Sequence, residues 1–433
     1  MLKNTDKKIY NLIKHEEKRQ QEKLVMIASE NYTSKDVREA LSSVLTHKYS
    51  EGEPGKRYYQ GNEFIDQIET IACTRALKAF NLSAKKWHVN VKAISASIAN
   101  LAVISGLLNP GDKILAMDLT HGGHLSHGWK SPSGKPISFI SKIFNVNYYG
   151  VEKKTGKFDY NKIAKKAQEF FKNKKPARQS TRAVIGEGGI GLIISGGTAY
   201  AREINYKKIA SIAHSVGAYY LADIAHEAGL IAGKDLKSPF PFADVITMST
   251  QKTLRGPRGA IIICKNNLKN IIDRAIFPGL QGGPFNHVIA SIAVCLKETQ
   301  TIKFKKYAQQ TVRNAKKLAS ELKKYKFNLV SGGTDKHLIL IDLRNLNING
   351  HDAAVLLDKA GIVCNKNTVP FETGTPMKPS GIRLGTPALT TRGMKEREMK
   401  IIAKWISDIL IKNKKPEEIL KQVKNLTKKF PIN

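Results

Sequence analysis

The stretch Asp244–Cys264, DVITMSTQKTLRGPRGAIIIC, places Lys252 between two short apolar runs. The runs DVITMST (Asp244–Thr250) and GAIIIC (Gly259–Cys264) are continuous rather than alternating, which is typical of strands buried on both faces. A lysine at the end of a buried strand loses its proton more readily than one in water, because desolvation disfavours the ammonium form. The stretch therefore predicts a reactive amine at the edge of a buried sheet.

Runs of the same apolar texture precede this stretch along the chain: Lys113–Asp118, Gly191–Ser195 and Ala218–Asp223. A helical pattern, Asn205–Gly217, lies between two of them and ends at a glycine suited to a helix C-terminus. Strands that alternate with helices predict an α/β fold with a mostly parallel sheet, covered by helices on both faces. Ligands of such sheets bind at the carboxyl ends of the strands.

The texture of the sequence changes after about Phe285. A long helical region, Asn286 to about Tyr325, leads into the strand-like runs HLILIDL and GIVCNKN, and helical patterns follow. We predict an N-terminal arm (1–30), a large α/β domain (31–285) and a smaller C-terminal α+β domain with the linking helix (286–433).

The formal charge of +35 comes from 71 Lys+Arg against 36 Asp+Glu. Such a surplus permits contact with nucleic acid or a membrane surface. The lysines are spread along the chain and are not gathered in a tail with interleaved aromatic residues. Solvated lysine-rich faces are therefore the favoured interpretation, and a nucleic-acid partner is not favoured.

The cysteines Cys73, Cys264, Cys295 and Cys364 lie far apart, without a C-x-x-C motif. This spacing indicates neither a disulfide framework nor a zinc knuckle, and it fits a reducing compartment. No apolar run is long enough to span a bilayer, and the first twenty residues have no apolar signal core. We predict a cytoplasmic protein without membrane contact.

Two motifs invite interpretations that their context does not favour. Gly186–Gly191 reads GEGGIG, but a dinucleotide site needs a helix directly after the glycines, and the strand-like LIIS follows instead. HGGHLSHG (His121–Gly128) spaces three histidines evenly, but its glycines argue against a helix that presents all three to a metal. We predict no metal site.

Lys252 can form a Schiff base with an aldehyde cofactor, of which pyridoxal phosphate (PLP) is the obvious candidate. That cofactor also needs an acid for its ring nitrogen and a cradle for its phosphate. Asp223 ends an upstream strand, and SASIAN (Ser95–Asn100) opens a helical pattern whose N-terminus suits an anion. Asp223 alone or Ser95 alone could be an ordinary helix cap, but together with Lys252 they point to PLP.

At this point the chain resembles the serine hydroxymethyltransferase family, PLP enzymes of the aspartate-aminotransferase fold (fold type I), which have a large, mostly parallel seven-stranded sheet domain and a smaller C-terminal domain. The resemblance runs from near the N-terminus to the last helix. Its most specific stretches are IASENYTS (Ile27–Ser34), KYSEGEPGKRYYQG (Lys48–Gly61), HGGHLSHG, ADIAHEAGL (Ala222–Leu230), KTLRGPRG (Lys252–Gly259), FPGLQGGP (Phe277–Pro284), SGGTDKHL (Ser331–Leu338) and SGIRLGTPA (Ser380–Ala388).

The resemblance implies that Lys252 carries PLP as an aldimine, that Asp223 pairs with the ring nitrogen and that His124 lies over the ring. The further cofactor positions that it implies are Ser95, Ala96, Ser97, Thr198, His226, Ser249 and Gln251, with Gly282 and Gly283 approaching the phosphate from a neighbouring subunit. The implied catalytic residues are Lys252, Glu51, Tyr59, His124 and Asp223.

The resemblance also implies the reaction, which transfers the hydroxymethyl carbon of serine reversibly to tetrahydrofolate and yields glycine and 5,10-methylenetetrahydrofolate. Arg383 would grip the amino-acid carboxylate, because its planar fork fixes orientation. The other implied substrate positions are Ser29, Tyr49, Glu51, Tyr59, Leu119, Gly123, Leu125, Asn367, Thr375, Pro376 and Met377. Tyr49, Glu51 and Tyr59 would reach the site from a partner chain, which implies a homodimer or a tetramer.

The sequence departs from the family near the cofactor. Gln251 replaces a usual histidine, Ile94–Asn100 (ISASIAN) replaces the usual H-S-G-S-Q-A-N, and Glu53 and Gln60 replace a tyrosine and a glycine. Residues from about 177 to 191 read as an insertion. The alternatives left open are a divergent relative with weak PLP binding or altered specificity, such as a folate-independent aldolase, and a basic RNA-binding protein on this scaffold.

Overall fold

A computed structural model describes residues 1–131, 133–172 and 191–432. The chain forms two compact units, one of Thr33–Gln309 and one of Met1–Tyr32 with Gln310–Asn433. The predicted three-part division into 1–30, 31–285 and 286–433 stays a prediction. Most of the predicted insertion, and the GEGGIG motif up to residue 190, lie outside the described residues.

The strands are short, and in chain order they are β1 Leu24–Val25, β2 Gly52–Glu53, β3 Lys56–Arg57, β4 Trp87–Asn90, β5 Lys113–Met117, β6 Asn145–Tyr149, β7 Gly191–Ser195, β8 Tyr219–Asp223, β9 Val245–Ser249, β10 Ala260–Lys265, β11 Asn328–Leu329, β12 Leu338–Asp342, β13 Ile362–Val363, β14 Asn365–Asn367 and β15 Gly381–Gly385.

The helices are, in chain order, α1 Leu2–Thr5, α2 Lys7–Glu22, α3 Lys35–Leu41, α4 Glu63–Phe80, α5 Ala96–Leu107, α6 Phe139–Ile143, α7 Tyr160–Phe171, α8 Tyr206–Ser215, α9 Ala228–Ala232, α10 Lys269–Ile276, α11 Asn286–Thr299, α12 Ile302–Lys324, α13 Gly350–Lys359, α14 Pro387–Thr391, α15 Glu396–Leu410 and α16 Pro416–Lys428.

The unit Thr33–Gln309 contains a seven-stranded sheet in the order β4-β10-β9-β8-β7-β5-β6. Strands β5 to β9 run parallel, whereas β10 is antiparallel to both β9 and β4. The predicted α/β fold with a mostly parallel seven-stranded sheet is therefore confirmed. The apolar runs form its central strands, and every residue of β7 and β9 is buried.

Helices cover the sheet because their apolar faces repeat at helical spacing. Helix α8 buries Tyr206, Ile209, Ala210 and Ala213, which recur every three or four residues. The chain leaves this helix through Gly217, whose φ of +68° suits a residue without a side chain. The next strand, β8, then ends at Asp223 on the carboxyl edge of the sheet.

The predicted long helical region from Asn286 to about Tyr325 consists of two helices, α11 and α12. The break follows from side-chain chemistry at Thr301. Its hydroxyl donates to the Glu298 carbonyl (2.7 Å) and accepts from the Phe304 amide (3.2 Å), so it caps the start of α12.

The other unit contains a four-stranded antiparallel sheet in the order β11-β12-β15-β14, with β1 and β13 paired in parallel beside it. Buried side chains of β12, β15, α13 and α15 form its core. This unit has the α+β character predicted for the C-terminal region. Among the helices of the described ranges, none has the length and apolarity that a membrane crossing needs.

Candidate active site

The carboxylate of Asp223, at the end of β8, accepts several hydrogen bonds. Its Oδ2 accepts from Nε2 of His127 (2.9 Å) and Nδ2 of Asn100 (2.8 Å), and its Oδ1 accepts from the amide of Ala225 (2.9 Å). Asp223 is only 6% exposed. Its two oxygens are thus fixed by three donors in a buried setting.

These contacts determine the charge of Asp223. Burial alone would raise the pKa of its carboxyl, but the hydrogen bond and charge of His127, with contributions from His124 and Asn100, hold that pKa well below its usual value. Asp223 is therefore an ionised buried carboxylate, the form that pairs with a protonated ring nitrogen.

Asn100, fully buried in α5, connects the segments around Asp223. Its Nδ2 also donates to Oγ of Ser126 (2.8 Å), and its Oδ1 accepts from Oγ1 of Thr247 in β9 (2.6 Å). Ser126 lies 2.7 Å from Nδ1 of His124. One asparagine thus joins α5, the histidine loop, β8 and β9.

Sequence reasoning overlooked His127, Asn100, Ser126 and Thr247. His127 was considered only as one of three evenly spaced histidines, and Asn100 only as the last letter of a phosphate segment. A signal was present for Thr247, because a hydroxyl residue in an apolar strand suggests a buried polar partner. The other contacts depend on tertiary packing.

Lys252 lies three residues beyond β9 and is 9% exposed. The loop that carries it is fixed by Thr253, whose hydroxyl donates to the His226 carbonyl (2.9 Å) and accepts from the Gly229 amide (2.9 Å). A Cβ at Gly229 would lie 2.2 Å from the backbone of Thr253. The Lys252 loop and the segment after Asp223 are therefore packed backbone to backbone.

Thr198 is held to the histidine loop on the other side of β8. Its amide donates to the Gly122 carbonyl (2.7 Å) and its hydroxyl to the Gly123 carbonyl (2.9 Å). A Cβ at Gly196 would lie 2.2 Å from the Asp223 carbonyl oxygen. The predicted residues Thr198, Gly123 and Asp223 are thus brought together by close backbone contacts.

Ser95 begins α5 as its N-cap and accepts from the Ile98 amide through its hydroxyl (3.3 Å). Ala96 and Ser97 form the first turn, where helix amides face an incoming anion. The side chain of Gln281 donates to the Lys92 carbonyl (2.8 Å) and accepts from the Ile94 amide (3.1 Å). The predicted phosphate helix is confirmed as a helix, and its role in binding stays a prediction.

Gln251 departs from the usual family histidine, and its environment is unusual. Its Oε1 is buried and, within the described residues, has no hydrogen-bond partner. Ser249, at the end of β9 and two residues before Gln251, is also buried. An unsatisfied buried oxygen next to Lys252 is a place where a bound group can donate a hydrogen bond.

Glu53, which replaces a usual tyrosine of the family, forms an ion pair with Lys92. Its carboxylate contacts Nζ of Lys92, an ammonium on a side chain that is 3% exposed, and Lys92 also lies 3.8 Å from Glu69. Burial raises the pKa of Glu69 against the opposing charges of Lys92 and Arg57. Glu53 thus supplies part of the negative charge that a buried lysine requires.

Glu51, Tyr49, Tyr59, Gly282 and Gly283 form one cluster. The rings of Tyr49 and Tyr59 contact edge to face with centroids 5.5 Å apart, and a Cβ at Gly283 would meet the Tyr49 ring at 2.9 Å. A Cβ at Gly282 would lie 3.1 Å from the Glu51 carboxylate. The residues expected from a partner chain are therefore neighbours within one chain.

Arg57 holds the backbone on both sides of Glu51. Its Nη1 donates to the carbonyls of Ser50 (2.9 Å) and Gly52 (2.8 Å), while Nη2 donates to Glu69 (2.7 Å). These bonds fix the direction in which Glu51 leaves the chain.

Of the remaining predicted residues, Leu119 and Leu125 lie in the unit Thr33–Gln309, whereas Ser29, Asn367, Arg383 and the loop Thr375–Met377 lie in the unit that contains β15. Arg383 is 7% exposed, and its Nε donates to Oδ1 of Asn365 (3.1 Å). Burial lowers the pKa of its guanidinium to about 10. A Cβ at Gly385, the last residue of β15, would lie 2.4 Å from the Cα of Ala28. Ser29 follows Ala28 in the chain and so lies near the end of β15.

The loop containing Thr375, Pro376 and Met377 is closed by Glu372 of the same unit. The Glu372 Oε1 accepts from the amides of Thr373 (2.9 Å) and Gly374 (2.7 Å) and from the Ser380 hydroxyl (2.5 Å). Met377 is 71% exposed at the tip of this loop. Asn367 ends β14, the neighbour of β15.

The three histidines of HGGHLSHG do not converge. Nδ1 of His121 accepts from the Val151 amide (3.0 Å), whereas ligand atoms of His124, His127 and Asp223 lie within 4.8 Å of one another. His127 and Asp223 already share a hydrogen bond in this group. The expectation of no metal stays a prediction.

The residues of the unit Thr33–Gln309 fit PLP. An ionised buried carboxylate, a buried lysine on the adjacent loop and the start of a twelve-residue helix lie at the same edge of one sheet. Together they match a protonated ring nitrogen, an aldehyde and a phosphate.

The chain is also similar to known proteins. The family model described as serine hydroxymethyltransferase matches residues 2–406. A serine hydroxymethyltransferase of Methanosarcina barkeri is 50% identical over 436 residues, covering 100% of this chain and 99% of the relative. The resemblance inferred from the sequence is confirmed, and it is favoured over the aldolase and RNA-binding alternatives.

Proposed function

We propose roles in the reaction for residues of this chain, which belongs to the serine hydroxymethyltransferase family. The enzyme transfers the hydroxymethyl carbon of serine reversibly to tetrahydrofolate, giving glycine and 5,10-methylenetetrahydrofolate, with PLP as cofactor. The observation that carries the assignment of roles is the buried, ionised Asp223 with its three donors beside the Lys252 loop.

Bound PLP supplies an electron sink for the electron pair left when a bond to the substrate Cα breaks. Lys252 would hold the cofactor covalently, and Asp223 would keep a proton on its ring nitrogen. His127 and Asn100 orient that carboxylate. His124, Thr198, His226, Ser249 and Gln251 would contact the cofactor, and Ser95, Ala96 and Ser97 would bind its phosphate at the start of α5.

Arg383 binds the carboxylate of serine or glycine, and Asn365 fixes the plane of its guanidinium (Nε–Oδ1 3.1 Å). A bidentate contact sets the orientation of the amino acid, which decides the bond that breaks. Ser29 assists at the same carboxylate. Folate is contacted by Leu119, Gly123, Leu125, Asn367 and the loop Thr375–Met377.

The cluster of Tyr49, Glu51, Tyr59, Gly282 and Gly283 serves the partner's site in a homodimer. Exposed aromatic residues around it support an interface, because a contiguous exposed apolar patch marks a site of association. Tyr49 is 58% exposed, Tyr58 72% and Phe285 51%. Glu51 moves protons at the serine hydroxyl and at the folate.

A cytoplasmic location is supported by the four cysteines, which are free thiols. Such thiols suit a reducing compartment.

One experiment tests the roles of Lys252 and PLP together. The purified protein is incubated with PLP, reduced with borohydride and digested, and the labelled lysine is located by peptide mass. We expect the label on Lys252 and its loss in Lys252→Ala, whereas the control Lys237→Ala keeps it. A label on another lysine would overturn the assignment, and absence of methylenetetrahydrofolate formation from serine by the loaded wild type would overturn the function.

A further inference from the structure

A cavity lies in the unit Thr33–Gln309, at the edge of the sheet opposite to Asp223. Trp87 begins β4 and pairs with Lys265 at the end of the antiparallel β10. Lys265 also bonds to Asp244, which directly precedes β9 (Nζ–Oδ1 2.6 Å). The cavity therefore sits at the amino ends of the parallel strands, whereas Asp223 and Ser249 end theirs.

The cavity has a volume of about 870 Å³. This value lies within the range of about 300–1,000 Å³ that is usual for small-molecule sites. Its lining includes Lys85, Lys86, Lys234 and Lys265, and no acidic residue among the described residues that line it. Lys265 is paired with Asp244, so the exposed lysines 85, 86 and 234 supply the positive charge.

The lysine-bearing turn is held in place. The side-chain amide of Asn266 donates to the carbonyls of Ala84 (3.0 Å) and Lys85 (2.9 Å), and the Asn266 amide donates to the Lys86 carbonyl (3.0 Å). Lys234 stands opposite in a left-handed conformation, with φ of +62°. Such a backbone is uncommon for a residue with a side chain.

The cavity lining also includes two aromatic residues, Trp87 and Phe240. The Trp87 and Phe240 rings contact edge to face with centroids 5.6 Å apart, and both line the cavity. Trp87 is half-buried and Phe240 is 2% exposed, so the rings are supported from behind. Stacking on an aromatic ring such as that of Trp87 accepts any planar base.

We infer that this cavity binds a nucleoside polyphosphate, with its base on Trp87 and its phosphates among Lys85, Lys86 and Lys234. The site is separate from Asp223 and Lys252, which are assigned to PLP, because the two sites lie at opposite edges of the same sheet. The inference does not depend on the catalytic roles proposed above.

The test is calorimetric titration of the PLP-loaded full chain with ATP, inorganic triphosphate and adenosine. The variant Lys85→Gln/Lys86→Gln/Lys234→Gln neutralises three lysines. It should weaken ATP binding by about a hundredfold, because each lysine that is lost removes a salt-dependent contact to a phosphate. The control Lys316→Gln/Lys323→Gln/Lys326→Gln removes the same charge from exposed positions elsewhere, and it should bind ATP as the wild type does.

A second variant tests the base. In the wild type, ATP should bind about fivefold or more tightly than triphosphate, and Trp87→Leu should remove that difference by removing the stacking surface. Serine cleavage should be unchanged in the triple lysine variant, and ATP should not compete with tetrahydrofolate.

Equal ATP binding by the two triple variants, or competition with tetrahydrofolate, would overturn the site. Equal binding of triphosphate and ATP would overturn the base contact. A single-stranded RNA could bind far more tightly than ATP and lose that binding only in the triple variant of Lys85, Lys86 and Lys234. That result would overturn the nucleoside polyphosphate as the ligand and identify RNA instead.

Discussion

Nε2 of His127 lies 2.9 Å from Oδ2 of Asp223, and the same oxygen accepts a hydrogen bond from Asn100. His127 therefore holds the carboxylate proposed to carry the charge opposite the cofactor ring nitrogen. Both side chains are buried, so solvent does not replace the contact if it is lost.

His127→Ala should weaken PLP binding. Hydrogen bonds to charged groups contribute about 1.5–3 kcal/mol, so we expect a loss of roughly ten- to a hundredfold in affinity. Since the folded-state pKa of Asp223 is depressed, its contribution is present at neutral pH and is lost as pH falls. In the variant that pKa should rise, so PLP should dissociate at a higher pH than from the wild type.

PLP affinity as a function of pH is measured by quenching of protein fluorescence. The control His15→Ala changes an exposed histidine of α2 and should behave as the wild type does. Unchanged affinity and an unchanged pH profile in His127→Ala would show that His127 does not support Asp223.

Arg383→Ala should weaken serine and glycine binding by roughly ten- to a hundredfold, because a charge-assisted bidentate contact contributes about 1.5–3 kcal/mol or more. PLP binding should hardly change. Since burial lowers the pKa of Arg383 to about 10, serine affinity should have a component that falls as pH rises through about 10, and the variant should lack it.

The measurement is the spectral change of the loaded enzyme on titration with serine. Arg397→Ala removes an exposed arginine of the same unit and serves as the control. If serine perturbs the Arg383→Ala spectrum at wild-type concentrations, another residue binds the carboxylate.

Gln251→His should tighten PLP binding or change reaction specificity. The Gln251 oxygen is buried without a partner in the described residues, and Ile94 and Ile98 replace two polar side chains of the family pattern. Two or three missing hydrogen bonds, at about 0.5–1.5 kcal/mol each, weaken PLP by roughly one to three factors of ten. The purified wild type should therefore be partly free of cofactor and gain activity with added PLP.

Cofactor content before and after dialysis checks this expectation, with Gln300→His as the control for an added histidine. A wild type that is saturated as purified and keeps its PLP through dialysis would contradict it, and would show that other contacts replace those lost.

Lys92→Met should destabilise the fold, because it leaves Glu69 buried with one cation fewer. Breaking a buried ion pair costs about 3–5 kcal/mol, and the exposure of Glu53 reduces this figure. Burial already raises the pKa of Glu69, and the variant should raise it further. A carboxyl whose pKa is raised in the folded state lowers the free energy of unfolding as pH rises. The difference in stability between the variant and the wild type should therefore grow from acid to neutral pH.

Thermal unfolding at several pH values measures this difference, and Lys78→Met, on the exposed face of α4, is the control. A difference that shrinks toward neutral pH would mean that Lys92 does not neutralise Glu69.

Much of the sheet could be predicted because its strands are continuous apolar runs. The runs at Lys113–Asp118, Gly191–Ser195 and Ala218–Asp223 became β5, β7 and β8 within one residue of the expected ends. Strand β4 was not predicted, since Trp87–Asn90 is short and mixed in polarity. The break at Thr301 was missed because a single cap within a helical pattern changes little in its periodicity.

Local sequence determined which residues end the strands and begin the helices of this protein, and so the positions of Asp223, Lys252 and Ser95 at one edge of a sheet. Such positions follow from hydrophobic pattern and capping, which act between near neighbours. Only the tertiary structure decided that His127 and Asn100 bond to Asp223 and that Glu53 pairs with Lys92. Those partners are far apart in sequence, and burial of a charge selects whichever complementary group the packed fold brings within reach.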